Sequence, residues 1–325
     1  MFQRFYTIAL NTFVETIRQP IFGVILLATA ILLILNVSLA AFTLEDDDKL
    51  LLDLGLSTLL LSGLFLSTFS AAGVLSREIE NKTVLTVVSK PVSRPLFVVG
   101  KYVGLMAALV VAYYLATLVF ILTVRHGVME RTTDPWDWPV LIFGPGALTA
   151  ALSIGAFCNY FYGKDFPTTT LTLLTPLLTV AVLLVGKLDE DWEVIPFASD
   201  FVGGQVLIAA FLVFLAVMVM AAIALAASTR FGQLATLVIC SAFLSLGLIS
   251  DYAFGRHEAA STLAKIAYRT VPNIGPFWVI DGLNAGTEAT TVTGQYIGFV
   301  TAYALLLVTA IVSIAVLAFQ RREVG

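Results

Sequence analysis

Charge is scarce in this chain of 325 residues: Asp, Glu, Lys and Arg together make up 12% of it, where soluble domains carry about a quarter. With 59% apolar residues and a mean hydropathy of +0.95, such a chain cannot clothe a water-soluble core in polar surface. Histidine and cysteine occur twice each. His257 and Glu258 begin a zinc-helix pattern, but Ser261 stands where the second histidine belongs, which excludes that metal pair. Cys158 and Cys240 lie inside apolar runs and read as small packing residues rather than a disulfide or metal pair. No GxSxG elbow is present. No GxxxxGK[ST] phosphate cradle is present either: Lys101, Lys164 and Lys187 follow glycines, but Tyr, Asp and Leu come next. Ionisable residues are missing from mid-span positions, with Asp53, Lys101 and Lys187 near span ends, so a proton or sodium relay has little to work with. The chain is therefore not expected to be an enzyme or to hold a cofactor or metal, and any ATP that drives it must be bound by another chain.

Apolar length is what the chain does have. Runs at Pro20–Thr43, Leu50–Leu75, Leu96–Val124, 138–162, Pro167–Gly186, 201–228, 232–250 and Tyr296–Phe319 are nearly free of charge. About 20 residues rising ~1.5 Å each cross a ~30 Å hydrocarbon core, so the expected fold is an all-α integral membrane protein with about eight transmembrane helices. Pro176 predicts a kink in the fifth run. In the fourth, Ala147, Ala151, Gly155, Asn159 and Gly163 recur every four residues, a face that permits close helix contact. That face and the alanine-rich sixth run are the expected surfaces for a second copy or a similar subunit.

Residues 1–19 place Phe2, Phe5, Ala9, Phe13 and Ile17 on one stripe and Arg4, Thr7, Asn11, Glu15 and Arg18 on another, the pattern of an amphipathic interfacial helix. A signal peptide cleaved near Ala40 is the rival reading, and its leader and apolar core would both be too long. EDDDK at 45–49 reads as an acidic turn, 134–138 as an interfacial turn with tryptophans, and 189–193 as a second acidic loop. Residues 251–295 form one long non-spanning stretch on the outer side. It contains a possible surface helix at 258–271, with Ala260, Leu263, Ala267 and Val271 on one side, and the aromatic re-entry VPNIGPFWVIDG.

With both termini on the cytoplasmic side, Arg4, Arg18, Arg77, Lys82, Lys90, Arg94, Lys101, Lys164, Arg230, Arg321 and Arg322 fall inside, and the acidic loops fall outside. Short loops rich in Lys and Arg stay in the cytoplasm, which fixes this orientation; the expected location is a bacterial inner membrane. Reading the fourth and fifth runs as one re-entrant feature would reduce the crossings to six without moving the termini.

The longest charged interruption in the first half is SREIENKTVLTVVSKPVSRPLFVVGK, 76–101. Ile79, Val84, Leu85, Val87 and Val88 recur among its charges at roughly helical spacing, which predicts an amphipathic cytoplasmic helix. Pro91 should end that helix, and Ser93 or Arg94 with Pro95 should start the next. A surface helix with no partner and a helix docked on another protein both fit this pattern.

The wording of the segment resembles the first cytoplasmic loop of permeases in the type-2 ABC transporter family through Arg77, Glu78, Glu80, Thr83, Pro91, Ser93, Arg94, Gly100 and Lys101. Asn81 and Lys82 replace the family's acidic-to-glycine turn, and Val84–Val88 is β-branched where the family favours leucine. The turn LAASTRFGQLA, the Pro272, Asn273, Phe277 element and the basic end extend the resemblance. It implies a six-span core with residues 140–187 as an inserted hairpin. It also implies a coupling helix at 76–95 seated in a groove of a cytoplasmic ABC ATPase, with Arg77, Glu78, Glu80, Thr83, Pro91, Ser93, Arg94 and Lys101 as coupling residues. A second permease copy or homologue and the lipid bilayer are the other expected partners, and nucleic acid is not one. The function implied is ATP-driven transport, in the sense of an exporter. A membrane anchor whose ATPase drives another complex, or a stand-alone carrier, are the alternatives.

Overall fold

The computed structural model describes residues 2–41, 47–80, 93–129, 136–197, 199, 203–257, 262, 265, 266, 268, 271–280 and 292–320, with the backbone alone at 75–80 and 257. Among the described residues the regular structure is helical, apart from an isolated bridge between Leu188 and Val194. The main helices are α1 (Phe2–Ile17), α2 (Pro20–Ala40), α3 (Asp47–Glu80), α4 (Arg94–His126), α5 (Trp138–Tyr162), α6 (Phe166–Val185), α7 (Gly204–Ser228), α8 (Gln233–Leu248) and α9 (Gly294–Gln320). They answer the expected apolar runs closely.

Local chemistry sets several of the boundaries. Proline occupies the first turn of α2, α5 and α6, where its missing N–H costs nothing. Asp137 and Asp165 cap α5 and α6 by accepting from the amides of Val140 and Thr168. Gly163, at φ +61°, ends α5 in the left-handed conformation that glycine adopts without Cβ strain. Asp47 and Asp48 lie in the first turn of α3 rather than in a loop, where two carboxylates complement the positive end of the helix.

Seven described helices, α2 to α7 and α9, have the length and composition of a membrane span. α8 does not reach that length. It has 16 residues, or ~24 Å at ~1.5 Å per residue. Its backbone leaves helical geometry at Ile249, and the amide of Ile274 donates to the carbonyl of Gly247 at 3.0 Å, so the helix stops where the 271–280 segment packs on it. The surface helix expected at 258–271 falls largely outside the described residues.

The chain forms two compact units, one of Met1–Thr16, Gly63–Leu109 and Phe211–Gly325, the other of Ile17–Ser62 and Val110–Ala210. In the second, the α5–α6 hairpin closes on Gly155, where Thr170 leaves no room for a Cβ. Ala147, Ala151 and Gly155 are buried, and at Gly155 the small-residue face is covered by α6, while Asn159 and Gly163 of the same face are exposed. The helix pairing follows from a three-residue turn that forces the two helices to be antiparallel neighbours. In the same unit, buried Asn36 donates to the Thr58 hydroxyl at 3.0 Å, joining α2 to α3. Such a bond satisfies an amide that lipid cannot.

In the first unit, Gly63 lies under Val217 and the Tyr102 hydroxyl donates to the Met218 carbonyl at 3.1 Å, so α3 and α4 both hold α7. The alanine-rich part of α7 is buried almost throughout. Cys240 is buried, Cys158 is partly so, and both thiols are free.

Candidate functional site

The first two turns of α4 form the candidate site, because they are the last part of the charged segment that sequence reading singled out. All of its geometry lies within the first compact unit. Ser93 is the last residue before α4, and its carbonyl accepts the first helical bond, from Phe97 at 3.2 Å. Arg94 opens the helix and donates to the carbonyl of Gln320 at 2.6 Å. Arg230, in the turn between α7 and α8, donates to the carbonyl of Ala318 at 3.1 Å. The last carbonyls of a helix lack intrahelical donors and carry partial negative charge. Two guanidinium groups from separate elements thus close the carboxyl end of α9.

One turn further on, Phe97 stacks on Phe319 with ring centroids 5.6 Å apart, and the Lys101 ammonium lies 5.6 Å from the Phe97 centroid. Lys101 is only 4% exposed and meets Glu15 of α1 at 3.5 Å. A buried ammonium is strongly disfavoured unless it is paired, so Glu15 anchors α1 to α4. Gly100 and Gly104 make that approach close: Ile8 packs on the first, and the carbonyl of Ala9 with the side chain of Thr12 on the second, where a Cβ has no space.

This contact adds a third side to the two stripes of α1. Ile8, Ala9, Thr12 and Thr16 turn inward, while Phe2, Tyr6 and Leu10 are exposed, and Arg4, Thr7 and Asn11 form a polar face. The helix therefore has one side for α4, one apolar side and one polar side. The spacing Gly100-x-x-x-Gly104 was the legible signal for the first of these.

The remaining coupling residues fall differently. Arg77, Glu78 and Glu80 lie on α3, which runs unbroken past the end of its apolar stretch to Glu80. The first five residues of the charged segment are thus a continuation of the second span. The side chains of Arg77, Glu78 and Glu80, and all of Thr83 and Pro91, lie outside the described residues. Arg94 and Lys101 have intrachain partners in Gln320 and Glu15, so their charges hold the helix ends together.

At the far end of α4 is a pairing that sequence reading missed. Arg125 meets Asp137 at 3.0 Å and also donates to the carbonyl of Leu188 at 2.9 Å, while the other oxygen of Asp137 caps α5. An aspartate two residues before a helix-opening proline signalled the cap, but nothing local signalled its cation. The turn between α5 and α6 is similarly specified, with Asp165 accepting from both the amide and the hydroxyl of Thr168 and lying 3.6 Å from Arg18. The Asp165 carboxyl is held below its ordinary value chiefly by the Thr168 hydroxyl; the Thr168 amide and the Arg18 charge act in the same direction, and desolvation opposes them.

No family model, no curated protein and no solved structure matches this chain.

Proposed function

We propose that this multi-pass membrane protein is the membrane-spanning subunit of an ATP-driven transporter of the type-2 ABC kind, an exporter whose ATP is bound by a separate cytoplasmic ATPase. The observation that supports this most is the bonding of α4 at the end of the charged segment. Arg94 holds α9, Lys101 holds α1, and Arg230 adds the α7–α8 turn to the same end of α9. A force applied to residues 81–92 from outside would reach α3 through its unbroken extension and α1 and α9 through these contacts. Packed elements with few alternative arrangements transmit displacement rather than absorb it.

On this reading both termini face the cytoplasm of a bacterial inner membrane, α8 completes an eighth crossing with its flanking residues, and a second copy or related subunit completes the pathway. Glu78 and its neighbours contact the ATPase, whereas Arg94 maintains the transmitting end of α9.

The test is Glu78→Lys, with Arg94 left intact so that the α9 end is undisturbed. Pull-down of an ATPase bearing a Walker A motif and encoded beside this gene, together with its hydrolysis rate in the reconstituted complex, reads the result. Loss of co-purification or of coupled hydrolysis at unchanged thermal stability is expected. Unchanged binding and an unchanged rate would return the segment to a solvated loop and remove the transporter reading.

A further inference from the structure

The turn between α5 and α6 carries aromatic surface that the transport reading does not use. Tyr160, Phe161 and Tyr162 are 83%, 63% and 69% exposed, and Phe157 is exposed one turn earlier. They form one patch: the Phe161 ring centroid lies 4.5 Å from that of Phe157 and 5.0 Å from that of Tyr160, and Tyr162 meets Phe157 edge-on at 6.1 Å. Helix length sets the depth of this patch. α6 has 20 residues, ~30 Å at ~1.5 Å per residue, so its whole length is needed to cross the hydrocarbon core and Phe166 stands at the boundary. The short turn at 163–165 places the end of α5 level with Phe166. Tyr160, Phe161 and Tyr162 therefore lie at the boundary itself, the depth that amphipathic rings favour, with Phe157 just inside it.

One cation stands beside the rings. Lys164 is exposed, and α5 holds its backbone on both sides: its amide donates to the Cys158 carbonyl at 3.3 Å, and its carbonyl accepts from the Asn159 side-chain amide at 2.6 Å. The neighbouring carboxylate is already engaged. Asp165 accepts from the Thr168 amide and hydroxyl and lies 3.6 Å from Arg18, so the charges of Asp165 and Arg18 offset each other. Among the described residues Lys164 takes part in no ion pair. The turn thus presents one uncompensated positive charge from a fixed backbone, directly beside the aromatic patch, and all of these residues belong to the second compact unit.

We propose that the α5–α6 turn holds an anionic phospholipid at the bilayer face it meets, with the phosphate at Lys164 and the upper acyl chains against Phe157, Tyr160 and Phe161. The rings select a lipid over a free anion, because a soluble phosphate has no apolar surface to lay on them. The single charge selects an anionic lipid, because a choline headgroup brings its own cation beside the ammonium and cancels the attraction. The site needs no ATPase and keeps its chemistry whichever way the chain is oriented.

Photocrosslinking of the full chain in nanodiscs tests the assignment. Phosphatidylglycerol and phosphatidylcholine of identical acyl chains, one chain carrying a diazirine near its carbonyl end, are added in turn at trace level to a phosphatidylcholine bilayer, and labelling of the 157–166 stretch is read by mass spectrometry. The glycerol lipid should label about fivefold more than the choline lipid, the scale of one lysine at an anionic surface. Lys164→Gln should remove the difference at an unchanged melting midpoint, and Tyr160→Ala with Phe161→Ala should lower labelling by both lipids. Equal labelling by the two lipids in the natural chain, or an undiminished difference in Lys164→Gln, would overturn the proposal. Absence of labelling by either lipid would place the turn against water or another protein and overturn it as well. A difference erased by inorganic phosphate at constant ionic strength would assign the turn to a free anion instead.

Discussion

Arg125 and Asp137 form an ion pair at 3.0 Å in which the side chains are only 3% and 2% exposed, and through it the end of α4, the start of α5 and the loop at Leu188 share one cluster. Removing one partner of such a pair leaves an uncompensated buried charge, at a cost of ~3–5 kcal/mol. Asp137→Ala should therefore lower the unfolding midpoint in detergent sharply, and it loses the α5 cap as well. Arg125→Met combined with Asp137→Leu should recover a large part of the loss. Circular dichroism on heating checks both, and a double variant no better than Asp137→Ala would contradict the account.

Gly104→Val should detach α1. The Cβ would meet the Ala9 carbonyl, which is backbone and cannot rotate away. Overpacking of this kind costs ~1–3 kcal/mol. Limited proteolysis should then cut between α1 and α2, at Arg18, much faster than in the natural chain. Gly298→Val, at a position with nothing within reach of its Cβ, should change nothing.

Protonation of Asp165 should loosen the α5–α6 turn. Its folded value lies below the ordinary 3.8, so its contribution to stability is fully present above that pH and is lost as pH falls through the lowered value. Thr168→Val removes the largest cause, the hydroxyl bond, and should move the carboxyl titration upward toward 3.8. Carbon-13 NMR of the labelled carboxyl reads this directly, and an unmoved midpoint would assign the shift elsewhere.

Topology is tested by single cysteines in a background where Cys158 and Cys240 are replaced by alanine. Asp191→Cys lies in the loop after α6 and should react with an impermeant thiol reagent on intact cells, whereas Lys164→Cys, in the α5–α6 turn, should react only after permeabilisation. The reverse pattern would invert the chain in the membrane.

Hydropathy and turn chemistry determined a great deal by themselves. The apolar runs mark every main helix from α2 to α9 to within a few residues, since a segment in lipid must satisfy its own backbone bonds and only a helix does so within one run. Pro139 and Pro167 opened helices, and Gly163 closed one, for reasons confined to the residues themselves. The face of α5 built from Ala147, Ala151 and Gly155 was legible as a contact face, but not as the contact with α6.

Partners were the part that only the tertiary structure decided. Lys101 and Glu15 are separated by 86 positions, and Arg94 and Gln320 by 226. A charge near a span end carries the same sequence pattern whether it faces water, another protein or a helix terminus of its own chain. The choice depends on which helices become neighbours, and that is set by packing over the whole fold, where close approach at Gly100 and Gly104 brings Glu15 within reach of an ammonium that would otherwise be buried unpaired.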